Sequence, residues 1–157
     1  YNVHGRTSVS LAPATVARLA KNSNVVAIKE ASGSMDQTSE ILSLCDITVL
    51  SGDDSLTLPL MSIGAKGVIS VAANIVPKDV HDMTAAALKG DFAAAGVLHK
   101  KLFPLCRAMF LETNPIPVKT AAGLMGLCSP EVRLPLCEMG AGPKKQLEQV
   151  MKDYGLI

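Results

Sequence analysis

The chain is 157 residues long, 48% hydrophobic and 18% charged, with a formal net charge of +1. That length fits one domain or part of a larger one, and the composition supplies a large core and argues against disorder. A nearly neutral charge, 3% aromatic residues and no Trp remove both the electrostatic and the stacking basis for a nucleic-acid partner.

No apolar run reaches the ~18 residues that a membrane span needs, and no signal peptide is visible, so no membrane partner and a cytoplasmic localisation are expected. Cys45, Cys106, Cys128 and Cys137 are widely spaced with no CxxC pair. That pattern speaks against a zinc site and for reduced, mostly buried thiols. The first residue is Tyr1, in what reads as mid-element, so an N-terminal portion is expected to be missing.

Tyr1 to Val3 read as the end of a strand, followed by a loop through His4, Gly5, Arg6 and Thr7. Residues 10–21 read as a helix with Ser10 as cap and Pro13 in its first turn. A strand from Val25 to Glu30 follows, then a helix over 35–45 capped by Ser34. Ile47 to Leu50 make the next strand, ending in Ser51, Gly52, Asp53 and Asp54. A short helix over 55–63 stops at Gly64, a further strand spans 67–71, and a helix spans 77–89. Continuous apolar strands alternating with helices predict an α/β fold with parallel strands, either an open sheet or a barrel. No GxGxxG follows any strand, which weakens a dinucleotide-binding sheet. Beyond Gly90 the pattern turns all-helical: 91–112, kinked at Pro104, then 115–127 with Asn114 as cap, then 143–154 with Leu147 and Val150 inward. The division expected is therefore 1–90 and 91–157.

In either architecture chemistry sits at the C-terminal ends of the strands, and the polar residues gather there. They are Tyr1, Asn2 and Arg6; Lys29 and Glu30; Ser51 to Asp54; Ser70 and Asn74. With a period of two, Val25, Ala27 and Lys29 share one face and Val26, Ile28 and Glu30 the other. Burial of an amine disfavours the ammonium, and a neutral amine can attack a carbonyl to form a Schiff base. The competing reading is an edge lysine that snorkels to water. The clustering of polar strand ends favours the reactive one. His81 and His99 read as solvated surface residues.

Five motifs carry a resemblance: Tyr1-Asn2-Val3-x-Gly5-Arg6-Thr7, Lys29-Glu30-Ala31-Ser32-Gly33, Ser51-Gly52-Asp53-Asp54, Gly67-Val68-Ile69-Ser70-Val71 and Asn114-Pro115-Ile116-Pro117-Val118-Lys119. In this order and spacing the chain resembles the dihydrodipicolinate synthases, of the pyruvate-dependent class I aldolase and N-acetylneuraminate lyase superfamily. The resemblance covers essentially the whole chain. It implies the C-terminal half of a (β/α)8 TIM barrel followed by an all-helical C-terminal tail.

The activity it implies is a condensation of pyruvate with L-aspartate 4-semialdehyde through an imine on Lys29, in lysine and diaminopimelate biosynthesis. It implies no cofactor and no metal, because the lysine itself supplies the electron sink. Tyr1 matches the tyrosine that relays protons, and Arg6 the arginine that receives the second substrate's carboxylate. Ile69 matches a position whose backbone carbonyl lies near the lysine, with its side chain expected in the core. Gly52 is expected to permit close backbone approach. Asp53 is read as orienting the lysine region or, preferentially, as capping the following helix. His4 departs from the family's usual Pro. A homo-oligomer, tetrameric when intact, is implied, and the 157 residues alone are expected to be inactive. The alternatives are a pyruvate-releasing lyase of a keto-deoxy sugar acid or N-acetylneuraminate, and a non-catalytic barrel fragment.

Overall fold

A computed structural model describes residues 1–157. Its sheet is parallel, and its neighbours follow chain order. Strand β1 (Ala27–Glu30) pairs with β2 (Thr48–Ser51), Lys29 beside Leu50 and Glu30 beside Ser51. Asn2 adds a parallel bridge to Glu30 on one side, and Val68 a parallel bridge to Ser51 on the other. Backbone bonds hold these outer segments: Asn2 N to Lys29 O and Ala31 N to Asn2 O, both 2.9 Å, on one side, and Ser51 N to Gly67 O at 2.8 Å and Ile69 N to Ser51 O at 2.9 Å on the other. The α/β class and the parallel order agree with the sequence reading. The outer segments expected as strands, 1–3 and 67–71, are each reduced to one bridge.

β1 begins two residues later than expected. Val25 is half-buried and Val26 is exposed. From Ala27 on, the alternation of faces holds. Ile28, Glu30, Val49 and Ser51 are buried, whereas Ala27 and Thr48 are exposed and Lys29 and Leu50 half-buried. Val68 pairs with buried Ser51, so Ile69, one residue on, falls on the open face with Lys29. Its side chain is 47% exposed, which corrects the expectation of a core isoleucine.

Two compact units emerge from the packing: Tyr1–Ser70 with Met83–Gly96, and Val71–Asp82 with Val97–Ile157. In the first, the loop expected over 4–7 is a one-turn helix, α1 (His4–Thr7), ended by Ser8 at φ 56°. Helix α2 (Pro13–Leu19) starts after Ala12, with Pro13 in its first turn. Ser10 is therefore not its cap; its hydroxyl lies 3.2 Å from His4 Nδ1 and closes the intervening loop. α2 packs on α3 (Met35–Leu44), with Val16 and Ile41 buried. Ser34 caps α3 as expected, accepting from Gln37 N at 3.1 Å, and Asp36 in the first turn suits the helix dipole. Beyond β2 a 3-10 turn (Asp54–Leu56) leads into α4 (Thr57–Ser62). Gly64, at φ 121°, then reverses the chain.

Helix α5 (Pro77–Leu88) and helix α6 (Phe92–Ala108) each contribute to both units. In the second unit α7 (Ile116–Leu124) packs on α8 (Ala141–Tyr154). Pro115, not Asn114, is the residue preceding α7, and its ring leaves no side-chain cap. Leu102, Leu105, Met109, Leu147 and Met151 are almost fully buried, each worth about 1.5–3 kcal/mol in apolar area removed from water. Val150, expected inward, is half-buried.

Two surface expectations are corrected in part. Only Cys106 is buried; Cys45 is half-buried, and Cys128 and Cys137 are exposed, and none forms a disulfide. His81 is exposed as expected. His99 is instead half-buried, 6.0 Å from the Phe103 ring, and burial holds its pKa down.

The first turn of α5 is tied to α6 and α8 through Asp79. Its Oδ2 receives Lys101 Nζ at 2.6 Å and the Tyr154 hydroxyl, and Lys101 lies over the Tyr154 ring at 4.8 Å. The Lys101 and Tyr154 hydrogen bonds hold the Asp79 carboxyl below its ordinary 3.8, and burial with the Asp79 bond pushes the Tyr154 phenol up. A carboxyl lowered on folding contributes stability that is present above pH 3.8 and lost as pH falls through the lower folded value. Asp79→Asn should therefore lower the urea midpoint at pH 7. The gap to the parent protein should narrow below about pH 3.8. A gap independent of pH would show that the carboxylate charge is not what holds these helices.

Candidate functional site

The C-terminal end of the sheet brings Tyr1, Lys29, Gly52 and Asp53 together. Lys29, the next-to-last residue of β1, lies on the open face, and its amine stands 4.2 Å from the centroid of the Tyr1 ring. Tyr1 is 62% exposed and packs this amine with its face. A ring–ammonium contact of this kind contributes about 0.5–1 kcal/mol at exposed sites. The two residues meet because Asn2 and Glu30, one position further along, are bridge partners.

Gly52 leaves β2 directly beside Lys29. Its N–H donates to Glu30 O at 2.7 Å. A Cβ there would lie 2.6 Å from Ala31 Cβ, 3.1 Å from Lys29 Cε and 3.3 Å from Glu30 O. Close approach thus requires glycine, as read from the sequence.

Asp53 follows. Its backbone is held by Ser51, whose hydroxyl donates to Asp53 O at 2.7 Å and accepts from Asp53 N at 3.1 Å. Asp53 precedes the 3-10 turn, but its side chain makes no cap hydrogen bond, which corrects the preferred capping reading. Its half-buried carboxyl stands among charges instead. Burial raises its pKa first, then the neighbouring Asp54 and Glu30 carboxylates, while Lys29 opposes the rise. Arg6 sits on α1, four residues beyond the Asn2 bridge, and is exposed. Ile69 shares the open face, and its N–H is bound to Ser51 O.

The sequence reading counted Asn2 and Glu30 among the polar strand ends but gave neither a role of its own. Glu30 is 2% exposed, and Asn2 is 1% exposed. The Asn2 side-chain amide donates to both Glu30 oxygens, at 3.1 and 2.9 Å, and Ser32 N donates at 2.7 Å. Gln37 Nε2 approaches Glu30 at 3.4 Å and donates to Leu11 O at 3.0 Å. A carboxylate falling on the same strand face as Ile28 was the available signal. No three His, Cys, Asp or Glu side chains are grouped as metal ligands. No helix is long and apolar enough to cross a membrane.

Comparison with known proteins places this geometry. The model of the dihydrodipicolinate synthetase family matches residues 1–154. The chain belongs to this family. It is 60% identical over 159 aligned residues to a 4-hydroxy-tetrahydrodipicolinate synthase of Geobacter sulfurreducens, covering all of this chain and 55% of that protein. The chain spans about half the length of the curated relatives it matches. A crystal structure of a dihydrodipicolinate synthase superposes on it with a TM-score of 0.98 at 57% identity, over 100% of this chain and 55% of the other. The chloride-inhibited synthase of Acinetobacter baumannii, solved in complex with pyruvate, superposes with a TM-score of 0.96 at 40% identity, over 100% and 55%. The α/β half-barrel reading and the resemblance agree with these matches.

The Gly52 contact can be tested directly. Gly52→Ala should cost about 1–3 kcal/mol by overpacking against Ala31. The double change with Ala31→Gly should recover much of that loss in chemical denaturation. A single variant as stable as the parent would mean that the β2 end yields without cost.

Proposed function

We propose that the protein carrying this chain condenses pyruvate with L-aspartate 4-semialdehyde to give 4-hydroxy-tetrahydrodipicolinate, through a Schiff base on Lys29. The observation that carries the reading is the Lys29 amine, packed under Tyr1 at the C-terminal end of a parallel sheet, in a chain of this family. The Lys29 nitrogen attacks the keto carbon of pyruvate, and loss of water leaves the imine. Loss of a methyl proton gives an enamine, whose carbon attacks the aldehyde; the amino group of the semialdehyde unit then attacks the imine carbon, closing the ring and displacing the Lys29 amine. Lys29 supplies the electron sink, so no metal or organic cofactor is required.

Tyr1 is the proposed proton relay. Its hydroxyl reaches the reacting centre only as the exposed ring turns from its present face-on contact. Arg6 is proposed to receive the semialdehyde carboxylate, a planar fork suited to bidentate binding. Gly52 and Asp53 line the lysine, and Ile69 offers its backbone on the same face. The relatives' names favour this activity over the sugar-acid lyase. Four cysteines outside any disulfide support a reducing cytosolic setting.

Borohydride with pyruvate should add a single three-carbon unit at Lys29, and Lys29→Ala should abolish both adduct and turnover. Arg6→Ala should leave the adduct intact and weaken use of the semialdehyde by about 1.5–3 kcal/mol in kcat/KM. An adduct on another lysine would overturn the assignment, and an Arg6 effect confined to pyruvate would remove its role.

A homo-oligomer, tetrameric when complete, is part of the same proposal. On and just after α6, Leu102, Leu105 and Met109 are buried, whereas Phe103 and Phe110 are 44% and 47% exposed. Large aromatic side chains left outward in this way suit a second copy. Sedimentation of the protein at micromolar concentration should show an oligomer, and a monomer alone would refute the assembly.

A further inference from the structure

The Lys29 amine has a front and a back, and only the front belongs to the proposed chemistry. Behind it lies a charge that pays a large desolvation cost and touches no substrate. Glu30 is 2% exposed and is held by neutral donors: the Asn2 amide at 3.1 and 2.9 Å, Ser32 N at 2.7 Å and, more distantly, Gln37 at 3.4 Å. An ionised carboxylate offers acceptors on both oxygens, which a glutamine in its place would not. Asn2 is equally committed. Its carbonyl oxygen accepts from Leu11 N at 3.0 Å, and its backbone N–H donates to Lys29 O at 2.9 Å. Its backbone carbonyl accepts from Ala31 N at 2.9 Å. Each residue of the pair directly follows one of the two site residues in sequence. Successive side chains on extended backbone point to opposite faces, so fixing Asn2 against Glu30 fixes Tyr1 against Lys29.

We propose that Asn2 and Glu30 form a positioning pair, locking the two strand ends in register from behind so that the Lys29 amine stands under the Tyr1 ring. The pair extends the proposed function and rests on it for its catalytic consequence. Neither residue touches substrate. The pair also ties down the segment after α1 through Leu11, and with it α1, which carries Arg6.

The test uses the protein that carries this chain and reads Lys29 in two ways. The first is the rate of borohydride-trapped pyruvate addition as pyruvate is raised. The second needs no substrate: the rate at which acetic anhydride acetylates Lys29. Glu30→Gln and Asn2→Ala should each slow the saturating trapping rate about tenfold or more, since misplacement by 1 Å can cost up to ~10²-fold. The pyruvate concentration at half saturation should change little, and acetylation of Lys29 should become faster as the amine leaves the ring. The double variant should be no slower than the slower single one, because the two residues share one network. Leu147→Ala, which removes a buried side chain on α8, should lower stability and leave both readouts unchanged. Folded Glu30→Gln and Asn2→Ala variants with unaltered trapping and acetylation would overturn the proposal. If Glu30→Gln fails to fold, Asn2→Ala and Gln37→Leu decide in its place, and unaltered readouts there overturn it equally. If the parent protein forms no pyruvate adduct, the proposed function fails, while acetylation still decides whether the pair positions Lys29.

Discussion

Burying the Glu30 carboxylate is the constraint that organises this end of the sheet. A charge removed from water costs several kcal/mol unless hydrogen bonds replace its solvation. The replacements come from distant parts of the chain: Asn2, 28 residues before it, Ser32 beside it, and Gln37 in the first turn of α3. They can converge only if the segment at Asn2 runs parallel to β1 and α3 starts close behind it. Gln37 also binds Leu11 O, and Asn2 binds Leu11 N, so the approach to α2 is locked by the same two side chains. One buried acid thereby couples strand register, helix placement and the loop preceding α2.

The next strand repeats the device with different chemistry. Buried Ser51 uses its hydroxyl as both donor and acceptor on Asp53, which holds the turn tight enough for Gly52 to lie against Lys29. Asp53 is thereby carried toward Glu30 and Asp54, and that proximity, after burial, is why its carboxyl is pushed up. The result is an amine with the Asp53 carboxyl near it, held by backbone geometry as much as by charge. A site of this kind depends on the exact length of β2, because one more residue would turn Gly52 to the opposite face.

Much of this was legible in the sequence because the relevant signals are local. Period-two alternation separated the Lys29 face from the Glu30 face, and Ser34 declared the start of α3 through its hydroxyl. Gly52 was readable because only glycine tolerates such an approach. The failures share a cause, which is tertiary partnership. Ser10 looks like a cap, yet its hydroxyl is taken by His4 six residues back. Asp53 stands where a cap would stand, but its carboxyl lies among other charges. Ile69 reads as core by composition, while its face is fixed by the register of Val68 with Ser51. The Asn2–Glu30 pair spans 28 residues, and no local pattern announces a contact of that separation.

Tyr1 shows how a role read from a motif and a position read from geometry constrain each other. The proposed relay belongs to the phenol oxygen, but the group that meets the amine is the ring face, 4.2 Å from Lys29 Nζ. A face-on ring cannot pass a proton to the nitrogen beneath it, because the face carries π density and no exchangeable hydrogen. The Tyr1 side chain is 62% exposed, and rotamer changes of exposed side chains are fast, on the order of ps–ns. The backbone at Asn2, by contrast, is bound on both its N–H and its carbonyl. The arrangement therefore separates two requirements: the strand end is fixed, while the ring upon it can turn. In the proposed chemistry, a carbonyl carbon reaching the Lys29 nitrogen would need the space over the amine that the ring occupies. Displacing the ring would swing the hydroxyl about a backbone anchored at Asn2, so that in this proposal substrate arrival and placement of the relay would be one motion rather than two.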